Sequence, residues 1–176
     1  HTDKGSSMKL QTLLLVGLSL ILSACGFHLR NSADLPFATL SIAMPESSDL
    51  RANLARNIEA STQTRIVANA KEADATLGII ENTQTKSILS LNSAGRVREY
   101  QLTRTLGFRV YDKTGHDLIP ASRIVVQRDY TFDDDQLAAK QAEEALLWRD
   151  MQNDIVQQLL RRLSASKPQT AAPSEN

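Results

Sequence analysis

Three kinds of side chain in this sequence are typed and spaced for chemistry: a lone cysteine, a run of cations and a run of aspartates. Cys25 is the sole thiol and follows Leu22-Ser23-Ala24. A thiolate is a nucleophile, so a cysteine behind small residues is a candidate point of covalent attachment, and without a second cysteine it closes no internal disulfide. The plainer alternative is a free or buried thiol. From Lys86 to Arg109 the cations Lys86, Arg96, Arg98, Arg104 and Arg109 are opposed locally only by Glu99. Arginine forks match the oxygens of phosphate and carboxylate, and lysine adds a compact charge, so this stretch is a candidate anion-binding edge; the alternative is a solvated strand face. Asp133-Asp134-Asp135 lacks the ligand spacing and glycine turn of a calcium loop, and reads instead as charge at a helix N-terminus. Trp148 and its apolar neighbours fit core packing better than a ligand pocket.

Catalysis needs convergent nucleophiles, bases or ligands. Past the leader the histidines are His28 and His116, neither with a metal-ligand partner at motif spacing. No nucleophile elbow or phosphate loop is present, so the expectation is a non-enzymatic protein without cofactor or metal. The 20 basic and 20 acidic residues balance, which argues against a nucleic-acid partner and makes any anion site local.

Residues 1–7 precede Met8 and are expected to be expression-derived or upstream residue. Met8-Lys9 followed by a leucine-rich run gives a charged start, an apolar centre and small residues before a break, which is the pattern of a secretory signal over 8–24. The run of roughly 15 apolar residues falls short of the ~20 a spanning helix needs. Leu22-Ser23-Ala24-Cys25 resembles a bacterial lipobox, which implies acylation at Cys25. At about 0.8 kcal/mol per buried methylene, several acyl chains anchor persistently where one does not. Gly26 stands where an aspartate would resemble an inner-membrane retention signal, so the expected address is the inner leaflet of the outer membrane.

These groups need elements to position them. Residues 25–36 read as a tether, 37–164 as one domain and 165–176 as a disordered tail rich in Pro, Ala, Ser and Thr. Thr39 to Ala43 reads as a strand, and Leu50, Leu54 and Ile58 place a helix over about 48–60 behind a Ser47 or Ser48 cap. Thr64 to Ala68 is a short β-branched run. From Ala75 to Phe132 the period is two, with turns at Asn92-Ser93-Ala94-Gly95 and Asp112-Lys113-Thr114-Gly115. Tyr100, Leu102, Leu106, Phe108 and Val110 share one face of the middle strand, and Pro120 is expected before the last strand pairs. The aspartates then open a helix of about 30 residues, with Ala138, Ala142, Ala145, Trp148, Ile155, Leu159 and Leu163 along one stripe. The order argues an α+β two-layer sandwich, two helices packed on one face of a largely antiparallel sheet.

With these pieces placed, the chain resembles the LPS-assembly lipoprotein family, LptE. The likeness is carried by Cys25-Gly26-Phe27-His28-Leu29-Arg30, by Gly95 and Glu99-Tyr100-Gln101 in the hairpin, by Leu137-Ala138-Ala139-Lys140 and by Gln158-Leu159-Leu160-Arg161-Arg162-Leu163. The resemblance implies a four-stranded, two-helix sandwich that complexes the outer-membrane β-barrel LptD, partly as a plug in its lumen, without enzymatic activity. It also implies a part in delivering lipopolysaccharide to the outer leaflet, from a lipid-anchored, periplasm-facing position. Lys140 resembles a basic family position; Arg96 and Arg98 follow the turn, and Ser93 departs from the pattern. The expected lipopolysaccharide-binding residues are Arg96, Arg98 and Lys140, with Lys86 and Arg104 beside them. The alternative is a periplasmic glycolipid-binding lipoprotein that works without a barrel.

Overall fold

The computed structural model describes residues 34–166. The leader, Cys25, most of the 25–36 tether and the tail from 167 onward lie outside the described residues. Among the described residues the order is β1 (Thr39–Ala43), α1 (Asp49–Ser61), β2 (Arg65–Ile66), β3 (Ala75–Leu91), β4 (Val97–Asp112), β5 (Asp117–Thr131), a 3-10 turn (Asp134–Gln136) and α2 (Leu137–Ala165).

The strands form a single open sheet in the order β2-β1-β3-β4-β5. This corrects the four-stranded, largely antiparallel expectation: the sheet has five strands and is mixed. β1 runs parallel to both β2 and β3, while β3, β4 and β5 form the antiparallel meander. The parallel edge follows from α1, which carries the chain back over the sheet so that β2 enters in the direction of β1. Across the β1–β3 seam, Thr39 and Asp74 lock reciprocally: the Thr39 N–H donates to Asp74 Oδ2 at 3.0 Å, and the Asp74 N–H donates to Thr39 Oγ1 at 2.9 Å.

α1 begins where Ser48 Oγ accepts from the Arg51 N–H at 3.3 Å, satisfying one of the amides that the first turn leaves without a partner. Leu50, Leu54 and Ile58 then point into the core. Both hairpin turns use one device. The side-chain oxygen of Asn92 accepts from the amides of Ala94 and Arg96, and that of Asp112 from the amides of Thr114 and His116. Gly95 at φ +76° and Gly115 at φ +85° supply the left-handed residue each turn needs.

Pro120 lies inside β5, not before it. β4 and β5 pair Phe108 with Ser122 and Val110 with Ile119, so Pro120 and Ala121 sit in a bulge. An edge strand with a bulge tolerates the missing N–H.

β4 is the centre of the core: Leu102, Leu106, Phe108 and Val110 are fully buried beneath α1 and α2. Each fully buried aliphatic or aromatic side chain contributes about 1.5–3 kcal/mol. α2 meets the sheet over its second half, where Met151, Ile155, Val156, Leu159, Leu160 and Leu163 are buried. Its first half corrects the expected stripe, since Ala138, Ala142 and Ala145 are exposed. The helix also starts later than expected. Asp133 caps the 3-10 turn through the Asp135 N–H at 3.0 Å, and α2 begins at Leu137.

Candidate functional site

The far ends of β3, β4 and β5 and the first half of α2 extend beyond the buried core, and most of the singled-out cations gather there. Lys86 rises from β3 onto an aromatic platform, its Nζ 4.1 Å from the centroid of Tyr100 and within 6 Å of Tyr130 and Phe132. Tyr100 stacks on Tyr130 at 5.8 Å and meets Phe132 edge-on at 5.2 Å. The ring faces attract the ammonium group, and the rings keep their preferred offset and T-shaped geometries.

Glu144, on α2, closes this platform. Its carboxylate accepts from Lys86 Nζ at 2.7 Å, Tyr130 Oη at 2.7 Å and Trp148 Nε1 at 3.3 Å. Burial opposes charge on both partners, yet their mutual hydrogen bond and attraction outweigh it, so Lys86 is raised above the ordinary lysine value and Glu144 lowered below the ordinary glutamate value. The Tyr130 hydroxyl is pushed up, first by burial and then by its bond to Glu144. Lys86, Tyr100, Phe132, Leu137 and Trp148 line a groove of about 430 Å³ beside this cluster.

The other expected residues divide. Lys140 donates to Glu143 at 2.8 Å and to Thr131 Oγ1 at 3.2 Å, tying the start of α2 to β5. Arg96 and Arg98 are exposed at the β3–β4 turn, and neither side chain forms an ion pair with a described residue. Arg98 is the extra residue of a β4 bulge between Val97 and Glu99, and its carbonyl accepts from the Phe132 N–H at 2.8 Å. Glu99, the one local acid, accepts from the Ser90 hydroxyl instead of pairing with a cation. Exposed Ile88, Leu89 and Leu91 flank the same turn, so cationic and apolar groups share one tip.

Arg104 and Arg109 lie elsewhere. Arg109 pairs with Asp117 at 3.3 Å and sits over the ring of Tyr111. Arg104 is 4% exposed, reaches Gln152 Oε1 at 3.0 Å through Nη2, and lines a separate cleft of about 580 Å³ between α1, α2 and the sheet. Trp148 lines both clefts. Cys25 lies outside the described residues. Among the described residues, no three His, Cys, Asp or Glu side chains gather in metal-binding geometry.

Glu144 was invisible to a local count of charges around Lys86, because it follows 58 residues later. Arg56 and Arg149, which share the second cleft, were hidden in the same way as exposed cations on two separate helices. Only the packing of α1 against α2 puts them together, and no spacing in the sequence signals it.

Comparison with known proteins agrees with this architecture. The lipopolysaccharide-assembly family model matches residues 37–163. The LPS-assembly lipoprotein LptE of Pectobacterium atrosepticum is 33% identical over 157 residues, covering 85% of this chain and 83% of that protein. Lipoprotein B from Nitrosomonas europaea, solved in solution, is 38% identical and superposes with a TM-score of 0.70 over 80% of this chain and 91% of its own. Rare lipoprotein B from Shewanella oneidensis is 25% identical with a TM-score of 0.63, over 72% and 94%. On these matches the chain belongs to the LptE family of lipopolysaccharide-assembly lipoproteins.

Proposed function

We propose that this chain is a non-enzymatic, lipid-anchored subunit that assembles with the LptD β-barrel, partly as its plug, and assists the transport and insertion of lipopolysaccharide at the outer membrane. In this reading residues 8–24 are removed, Cys25 carries the acyl chains, and the segment to residue 36 tethers a periplasm-facing domain. Family membership supports the lipopolysaccharide-assembly role.

The observation that carries the glycolipid contact is the β3–β4 tip. Arg96 and Arg98 present guanidinium groups without ion pairs to described residues, next to exposed Ile88, Leu89 and Leu91. An amphiphile with anionic groups on its head complements that combination. Lys140 and Lys86 stand on the same end of the sandwich, but both are already paired to glutamates, and they serve mainly to hold α2 against the strands, Lys86 through Glu144 and Lys140 through Thr131.

Replacement of both tip arginines, Arg96→Glu plus Arg98→Glu, tests this contact. The expected result is loss of lipopolysaccharide binding by a folded protein that still co-purifies with the barrel. Unchanged lipopolysaccharide binding removes the tip from the mechanism. Mild-detergent purification tests the plug: a stoichiometric β-barrel supports it, whereas a monomer with tight glycolipid affinity favours the barrel-independent carrier. Intact mass of the membrane-extracted chain tests the anchor, since an unmodified Cys25 in a cleaved chain rules it out.

A further inference from the structure

The cleft between α1, α2 and the sheet has features that packing does not explain. Arg104 projects from β4 toward the helices, on the face that carries Leu102 and Leu106, where an apolar side chain would complete the core. It is 4% exposed, its Nε has no hydrogen-bond partner, and no described carboxylate forms an ion pair with it. Its one side-chain bond is to a neutral amide, Gln152. Burial pushes its pKa down from the ordinary arginine value, the direction expected for a cation without a counter-charge. A buried charge left uncompensated is destabilising, so a protein that keeps one is giving up stability.

The cleft around it compounds the imbalance. Arg56 from α1 and Arg149 from α2 line the same space, against the single carboxylate of Asp49. Three guanidiniums facing one carboxylate leave a surplus of positive charge in a concave site. The remaining polar lining consists of amides, Asn53, Gln84, Gln152 and Asn153, which both donate and accept as vicinal hydroxyls do. Trp148 provides an aromatic surface at one wall. The volume of about 580 Å³ falls in the range of small-molecule sites.

The geometry points to a second binding site, in which Arg104 receives the phosphate or carboxylate of an anionic saccharide while the amides and Trp148 hold its sugar ring. Arg104 is the buried anchor, and Arg56 and Arg149 are cations at the mouth. The site is separate from the Arg96–Arg98 tip and does not depend on the role proposed for it. An oxyanion bound to the guanidinium of Arg104 supplies the counter-charge that the described residues do not. The sugar body distinguishes this ligand from a simple ion, because a bare phosphate would leave the amide wall unused.

Trp148 is the only tryptophan in the chain, so its fluorescence reads the cleft directly. The test titrates the purified full chain with glucose 1-phosphate, galacturonate, inorganic phosphate and neutral glucose. The expected result is saturable change with the two anionic sugars at a Kd of ~1 mM or tighter. Inorganic phosphate should bind at least about tenfold more weakly, and glucose not at all. Arg104→Met should abolish the response while raising the melting temperature of the unliganded protein, since it removes an unpaired buried charge.

Should Arg104→Met fail to fold, Arg56→Gln plus Arg149→Gln changes only exposed side chains and should weaken binding by about tenfold or more. Arg161→Gln, at the far end of α2, should lose the same kind of charge without effect. No saturation with either anionic sugar overturns the site, as does equal binding of neutral glucose. Phosphate binding as tightly as glucose 1-phosphate overturns the saccharide assignment, and full binding by Arg104→Met or by the double variant overturns the role of the arginines.

Discussion

α2 belongs to two different environments along one continuous helix. From Met151 to Leu163 it seals the core against β4 and β5, with six side chains buried. From Leu137 to Arg149 none of its side chains is fully buried: Leu147 and Trp148 pack part-buried against the edge of the core, and the remaining ties to the sheet are polar, Lys140 to Thr131, and Glu144 to Lys86 and Tyr130. The sheet divides the same way, since β4 is fully buried at Leu106, Phe108 and Val110, whereas β3 beyond Asn82 is almost wholly exposed. One end of the sandwich therefore holds the fold by apolar burial, and the other is held by a few charged and aromatic contacts that leave its surface available for binding. The division shows how a long helix stabilises a domain with one half while the other half stays accessible.

The largest expected effect tests the packed end. Leu159→Ala removes a fully buried side chain and should destabilise the protein by about 2–5 kcal/mol in urea unfolding. Leu91→Ala at the exposed tip should change stability by less than ~0.5 kcal/mol. Similar costs at the two positions would break the division.

Glu144→Ala comes next, because it strips three donors of their acceptor at the open end. It should cost about 1–3 kcal/mol, toward the lower figure because the cluster is partly solvated. Its pH signature is distinctive. The lowered pKa of Glu144 contributes stability above the ordinary glutamate value, lost as pH falls through the lowered one. The raised pKa of Lys86 contributes stability below the ordinary lysine value, lost as pH rises through the raised one. The variant should flatten both limbs of the stability profile relative to the parent. If both limbs persist in the variant, the cluster does not hold α2 to the strands.

Gly95→Ala should cost about 1 kcal/mol, since φ +76° is strained for an L side chain although the space beside it is open. Thermal unfolding measures it. Smallest on stability is Arg96→Glu plus Arg98→Glu, expected within ~0.5 kcal/mol of the parent while abolishing glycolipid binding. A large loss of stability there would mean that the tip supports the fold as well as exposing its cations.

Much of the architecture was legible from local pattern. Leu50, Leu54 and Ile58 recur at helical spacing and are buried, and Asn92 to Gly95 and Asp112 to Gly115 carry turn chemistry that the structure uses at both turns. The parallel edge was not legible. β2 is two residues long, too short to show a period, and strand direction leaves no mark on alternation. The apolar stripe of α2 was also misread beyond its core half, because Ala138, Ala142 and Ala145 keep the spacing of a buried face after the sheet beneath has run out of core.

Within the candidate sites the same limit applies. The surplus of positive charge from Lys86 to Arg109 was evident by counting, but its members went to four fates: Arg96 and Arg98 to an exposed tip, Lys86 to a glutamate from α2, Arg104 into a buried cleft, and Arg109 to Asp117 of β5. The sequence by itself determined the residue types, the strand and helix periods, the turns and the family, all of which depend on neighbours a few residues apart or on motifs read in order. Only the tertiary structure decided which cations are neutralised and which stand without a counter-charge. Coulombic and hydrogen-bond partners are set by distance in space: Glu144 and Gln152 reach Lys86 and Arg104 from a helix far along the chain, and Arg56 and Arg149 line the Arg104 cleft from two separate helices.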